Sequence, residues 1–170
     1  MDAPDDHPEA PLEAREPSVE DLVSLCRKLN AAGARYLVVG GFAIRAAGYD
    51  RRTMDIDLLV DVSGDNESRV LSVLRTLPDG AASELRPGEI SEYSVVRVAD
   101  EIVVDLMSVA SGIDYATAAA DVTVHEVDGV GIPCASPRLL YRMKCTAGRD
   151  KDQADIAFLA ALLSGTDRAS

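Results

Sequence analysis

The stretch Asp55-Ile-Asp-Leu-Leu-Val-Asp61 constrains the fold of this chain more than any other. Side chains alternate along a strand, so Asp55 and Asp57 share one face while Ile56 and Leu58 point to the other, with the two carboxylates roughly 6.5–7 Å apart. The segment is therefore a strand with one apolar and one partly acidic face. Ahead of it lies a β-branched and aromatic run, Arg35 to Val39, followed by the pair Gly40-Gly41 and by Phe42 to Ala47, closed at Gly48. That order reads as strand, tight turn and short helix. An arginine-rich loop, Tyr49 to Met54, leads into the acidic strand.

The neighbouring segments extend the pattern. Ser18 can cap a helix with Asp21 as its capping-box partner, and Val19, Leu22, Val23, Cys26 and Leu29 recur at helical spacing up to Gly33. Val70, Leu71, Val73, Leu74 and Leu77 mark a second helix over 66–77, broken by Pro78, Asp79 and Gly80. Tyr93 to Val98 and Glu101 to Met107 flank Ala99-Asp100 as an antiparallel hairpin. Val122 to Val127 and Val130 to Pro133 flank Asp128-Gly129 as a clearer one. Ser136-Pro137 starts a helix that Gly148 ends, and a last helix spans about Lys151 to Leu163. Strands alternate with helices early and hairpins follow late, so the expected fold class is α/β (α+β), a mixed sheet with helices packed against it.

At 170 residues the chain suits one domain, expected over 18–165. Residues 1–17 hold four of the eight prolines and six acidic residues against one arginine, the composition of a disordered acidic tail. A net charge of −12 argues against a protein that coats nucleic acid through bulk positive charge, so a polyanionic partner needs a local basic patch or a bridging cation. Three cysteines without CxxC spacing suggest neither a disulfide framework nor a zinc ribbon, and the expected location is the cytoplasm. The longest apolar run, Leu37 to Ile44, is far shorter than the roughly 18 residues of a membrane helix, and no membrane association is expected.

The residues with chemical potential are Gly40, Gly41, Asp55, Asp57 and Asp105. Asp105 sits in the apolar run Ile-Val-Val-Asp-Leu-Met, where a lone carboxylate is costly unless exposed or paired with a positive partner. Three converging carboxylates repel one another unless a cation compensates them, and oxygen-only ligands favour Mg2+ or Mn2+ over zinc. The alternative is that Asp55 and Asp57 solvate the end of an edge strand. Gly40 and Gly41 let the backbone turn sharply and approach a phosphate at a helix N-terminus, or mark a tight turn requiring positive φ. Arg52 and Thr53, just before the acidic strand, are placed to contact phosphate, or Arg52 pairs with Asp61. Arg138, Arg142, Lys144, Arg149 and Lys151 form a basic run whose partner is either a triphosphate or RNA, or the neighbouring Asp152 and Asp155.

The stretches Val38-Val-Gly-Gly-Phe-Ala-Ile44 and Arg52-Thr-Met-Asp-Ile-Asp-Leu-Leu-Val60 resemble the signature of the DNA polymerase β-like nucleotidyltransferase superfamily, and Val103-Val-Asp-Leu-Met107 resembles its third acidic strand. The run from Leu140 to Asp152, with Asp155-Ile156, is similar to the C-terminal segment of small bacterial members, including abortive-infection type nucleotidyltransferase toxins. The resemblance implies transfer of a nucleoside monophosphate from an NTP such as ATP to a hydroxyl acceptor, with pyrophosphate released. It implies that Asp55 and Asp57 hold two divalent ions, Mg2+ or Mn2+, that Asp105 completes the catalytic metal site, and that Gly40 and Gly41 touch the triphosphate. Lys144 is the expected phosphate contact of the later segment. Candidate acceptors are tRNA or other RNA 3′ ends, proteins and small hydroxyl compounds. Candidate protein partners are a second copy of the chain or a cognate antitoxin. The competing expectation is a non-catalytic nucleotide-binding or regulatory module with the same fold.

Overall fold

The computed structural model describes residues 13–168, with side chains to residue 165. The elements run in chain order as α1 (Val19–Ala31), β1 (Tyr36–Val39), α2 (Gly40–Ala46), β2 (Asp55–Val60), α3 (Asn66–Leu74), α4 (Glu89–Tyr93), β3 (Val95–Ala99), β4 (Val103–Met107), β5 (Val109–Ala110), β6 (Ile113–Asp114), α5 (Tyr115–Ala118), β7 (Val122–Val127), β8 (Val130–Ala135), α6 (Pro137–Ala147) and α7 (Gln153–Arg168). A 3-10 turn, Asp150–Asp152, joins the last two helices. Six strands form one mixed sheet in the order β3-β4-β2-β1-β8-β7, and β5 pairs with β6 in a separate ribbon. The expected mixed sheet with helices against it is the architecture observed.

The central strands are parallel or antiparallel as their connections require. β2 returns to β4 in parallel through the α3–β3 excursion, β1 lies antiparallel to β2 and parallel to β8, and β3–β4 and β7–β8 are hairpins. In β2, Ile56, Leu58 and Val60 are buried on one face and Leu59 on the other, as befits an interior strand covered on both sides. Only at its first residues does that cover end, and there Asp55 and Asp57 emerge.

Local sequence explains the helix ends. The Ser18 hydroxyl accepts from the Asp21 N–H while the Asp21 carboxylate accepts from the Ser18 N–H, a complete capping box. The amphipathic α1 then buries Leu22, Val23, Leu25, Cys26 and Leu29, each worth about 1.5–3 kcal/mol for the larger aliphatics. Ser136 caps α6 with Pro137 at its first turn, and Gly148 ends it in the left-handed conformation. Asp128 and Gly129 both take positive φ between β7 and β8, as a tight hairpin turn requires.

Several elements differ from the sequence expectation. The short helix α4, the β5–β6 ribbon and α5 carry too few residues to show a period. The β3–β4 turn is also displaced. Asp100, expected within a hairpin turn, is buried, and its carboxylate accepts from the N–H groups of Asp79, Ala81 and Glu101. These bonds outweigh burial and hold its pKa below the usual carboxylate value. Of the segment expected to be a disordered tail, residues 1–12 lie outside the described residues. Residues 13–17 lie against the body: the Arg15 N–H donates to the Glu101 carbonyl, and its guanidinium pairs with Asp21 and Glu101.

Candidate active site

The site is built on one row of the sheet. Val39 of β1 pairs with Asp57 of β2, Asp57 with Asp105 of β4, and Asp105 with Arg97 of β3. Directly opposed residues present their side chains on the same face, and Asp55 joins them from two positions back along β2. One carboxylate oxygen from each of Asp55, Asp57 and Asp105 lies within 4.8 Å of the other two. Period-two alternation along β2 and the parallel register of β2 with β4 together produce this convergence.

The glycine pair fits against the same row. Gly40 has φ +66, and a Cβ there would overlap the Asp57 carboxylate; a Cβ at Gly41 would overlap the Thr53 hydroxyl. Both residues must therefore lack side chains for α2 to begin directly beside the acidic strand. Thr53 is buried, and its hydroxyl donates to the Asp55 carbonyl at 3.0 Å, which fixes the entry of the strand. Arg52 lies at the rim, where Glu16 pairs with it at 2.7 Å; the alternative partner Asp61 is held by Arg35 at 2.6 Å.

Arg97 is the positive partner that Asp105 needs. Its Nε donates to Asp105 at 2.9 Å, and its second guanidinium nitrogen donates to Asp105 at 3.0 Å and to Asp55 at 3.1 Å. The hydrogen bond to Asp105 raises the Arg97 pKa, so the guanidinium is a fixed charge. Asp57 has no ion-pair partner among the described residues. Burial, followed by the nearby charges of Asp105 and Asp55, pushes its carboxyl up to about 7, against the weaker opposing influence of Lys144 and Arg97. Three carboxylates thus face one cation, and all donors are oxygens. That set fits a hard divalent ion such as Mg2+ or Mn2+.

The acidic row opens into a cleft of about 620 Å³ that basic residues also line, as a basic wall. Arg51, Arg52, Lys144, Arg149 and Lys151 line the cleft together with Gly40, Gly41, Thr53 and the three aspartates. Two buried carboxylates hold much of this wall. Asp155, 1% exposed, pairs with Arg51 at 3.1 Å and Lys144 at 3.3 Å, and Asp152, 4% exposed, pairs with Lys144 at 2.9 Å and Arg149 at 2.7 Å. Burial alone would raise the Asp152 pKa, but the bonds from Lys144 and Arg149 bring it below the usual value. The salt-bridge reading of the basic run holds for Lys144 and Arg149, which also line the cleft. Arg138 instead pairs with Asp121 at 3.4 Å, and neither it nor the exposed Arg142 lines the cleft.

Arg97 and Arg51 were not among the expected site residues. Arg97 had one available signal, the unpaired carboxylate of Asp105 in an apolar strand next to a hairpin partner carrying an arginine. Arg51 and Asp155 are 104 positions apart, and nothing local joins them. Cys26 and Cys134 are buried, and burial pushes their thiols up to about 11 and about 12, which leaves them unreactive; Cys145 is exposed and outside the cleft lining.

This fold, a mixed sheet with an acidic row at the head of its central strands, is shared with nucleotidyltransferase-like proteins of known structure. The chain is similar to an antigenic nucleotidyltransferase-like protein from Paracoccidioides brasiliensis, with TM-score 0.57 and 18% identity over 88% of this chain and 78% of that one. It is also similar to a candidate nucleotidyltransferase from Thermotoga maritima, with TM-score 0.52 and 16% identity over 86% of this chain and 97% of that one. At these identities the likeness is one of fold. No protein-family model and no curated protein matches the sequence. Among the described residues no helix is long and apolar enough to cross a membrane.

Proposed function

We propose that this chain is a metal-dependent nucleotidyltransferase that moves a nucleoside monophosphate from an NTP to a hydroxyl acceptor and releases pyrophosphate. The observation that carries this reading is a single cleft lined both by three gathered carboxylates and by salt-bridged basic side chains. Such a cleft matches the charge pattern of an NTP, whose phosphates need both divalent ions and cationic side chains.

Asp55 and Asp57 would hold both ions, and Asp105 would complete the site of the catalytic one. When bound, Mg2+ or Mn2+ lowers the pKa of the acceptor hydroxyl and neutralises charge on the transferring phosphoryl group. Lys144 and Arg149, held by Asp152 and Asp155, orient the triphosphate within the cleft, and Arg52 meets it at the rim. Gly40 and Gly41 leave room for close backbone approach, and Thr53 holds the strand entry in place. In the transfer, the acceptor oxygen bonds to the α-phosphorus, the bond from that phosphorus to the bridging oxygen breaks, and pyrophosphate leaves. Asp105 takes the acceptor's proton.

The test incubates the protein with labelled NTPs, Mg2+ and three acceptor sets: RNA, proteins and small hydroxyl compounds such as aminoglycosides. Label transfer with stoichiometric pyrophosphate, lost in an Asp55→Ala, Asp57→Ala double variant, is expected. Equal labelling by the double variant would refute the mechanism. Mg2+-dependent NTP binding without pyrophosphate release across all acceptors would favour a non-catalytic nucleotide-binding module.

A further inference from the structure

We infer that Arg97 is a displaceable counter-ion, whose guanidinium bridges Asp55 and Asp105 in place of a divalent cation and leaves them when the cation binds. The inference deepens the metal-dependent reading above and rests on it. Arg97 lies directly opposite Asp105 in the β3–β4 hairpin, so its placement is set by backbone register. Its fork takes both Asp105 oxygens and one of Asp55, and these two residues supply two of the three carboxylates that gather within 4.8 Å.

One feature separates Arg97 from the other ion-paired cations of the cleft: its partners are two of the three carboxylates that a metal would use. Lys144 is 11% exposed and is held by Asp152 and Asp155, which lie outside the acidic triad. Arg97 is 59% exposed, sits on the edge strand of the sheet, and has as partners the very groups that a metal would use. A divalent ion shared by Asp55, Asp57 and Asp105 would stand within a few ångströms of the guanidinium. Like charges at that spacing repel, and both Asp105 oxygens, one of which the ion would need, already accept from Arg97. An exposed side chain on a sheet edge can rotate into the cleft mouth without disturbing the core. Metal-free protein thus keeps its acidic row partly neutralised, and metal binding releases Arg97.

The experiment titrates metal-free protein with Mn2+ and follows free Mn2+ by electron paramagnetic resonance, for the unsubstituted chain, Arg97→Gln and Asp57→Asn. Removing the competitor should tighten Mn2+ binding by Arg97→Gln by about threefold to tenfold, a tenfold change being about 1.4 kcal/mol, whereas Asp57→Asn should weaken it. Mg2+ should also raise the melting temperature of Arg97→Gln more than that of the unsubstituted protein. Equal or weaker Mn2+ binding by Arg97→Gln overturns the inference alone, and tighter binding with an Arg97 Nε–H resonance unmoved by Mg2+ in the unsubstituted protein reveals a static repulsion and overturns it as well. Failure of both the unsubstituted chain and Arg97→Gln to bind Mn2+ overturns the metal-dependent reading with it. Should Arg97→Gln not fold, the Nε–H resonance of Arg97, assigned through Arg97→Lys, reports the same displacement in the unsubstituted protein. It should shift and exchange faster with water on adding Mg2+, and an unmoved resonance contradicts the inference.

Discussion

Replacing Asp57 by Asn tests the electrostatics of the acidic row without changing its shape. Burial and two neighbouring carboxylates push the Asp57 carboxyl from its ordinary 3.8 to about 7. The folded protein therefore keeps a proton on Asp57 where the unfolded chain has lost it. Between about pH 4 and about pH 7 the folded state binds more protons, so stability falls as pH rises through that window and stays lower above it. At about 1.36 kcal/mol per pH unit, the ceiling on this loss is about 4 kcal/mol. Asp57 keeps some access to water from the cleft, and a buried amide carries a cost of its own, so the expected gain for Asp57→Asn is about 1–2 kcal/mol at pH 8 without metal. For a chain of this size that gain raises the melting temperature by about 2–8 °C. Calorimetry at pH 5 and pH 8 in chelator measures it, with a small difference at the lower pH and the full one at the higher. Excess Mg2+ should stabilise the unsubstituted protein and leave the variant nearly unmoved. A variant no more stable at pH 8, or equally stabilised at both pH values, would refute the reasoning.

Two further substitutions probe the supports of the site. Gly40→Ala forces a side chain onto positive φ and into the Asp57 carboxylate, so melting should show a loss of about 1–3 kcal/mol, and Mn2+ titration should show binding weakened by about tenfold or more. Asp155→Ala strips a fully buried carboxylate from Arg51 and Lys144 and should cost about 3–5 kcal/mol in urea unfolding; a loss below about 1 kcal/mol would mean that the basic wall is not held as described.

Much of the site was legible because it rests on short-range rules. Asp55 and Asp57 declare themselves through strand alternation, Ser18 and Asp21 through capping-box spacing, and Asp128-Gly129 through the demands of a tight hairpin turn. The rest depends on register and on distant packing. A hairpin turning at Ala99-Asp100 would place Arg97 across from Ile102. The observed turn spans three residues and pairs Arg97 with Asp105, and a slip of odd length puts the side chain on the opposite face. What displaces the turn is Asp100, drawn inward to satisfy the N–H groups of Asp79 and Ala81 about twenty positions earlier. Arg51 and Asp155 meet only because α7 folds back beside the loop ahead of β2, a contact with no local signature.

The central claim is that Asp55, Asp57 and Asp105 act jointly on a nucleotide's phosphates through divalent ions. A crystal grown with Mn2+ and a non-hydrolysable NTP analogue, with data collected at the manganese edge, tests it most directly. Anomalous peaks bonded to all three carboxylates are expected, with Arg97 withdrawn and the triphosphate lying toward Lys144 and Arg149. An analogue bound elsewhere, or a triad that stays closed around Arg97 with no manganese among its oxygens, would contradict it.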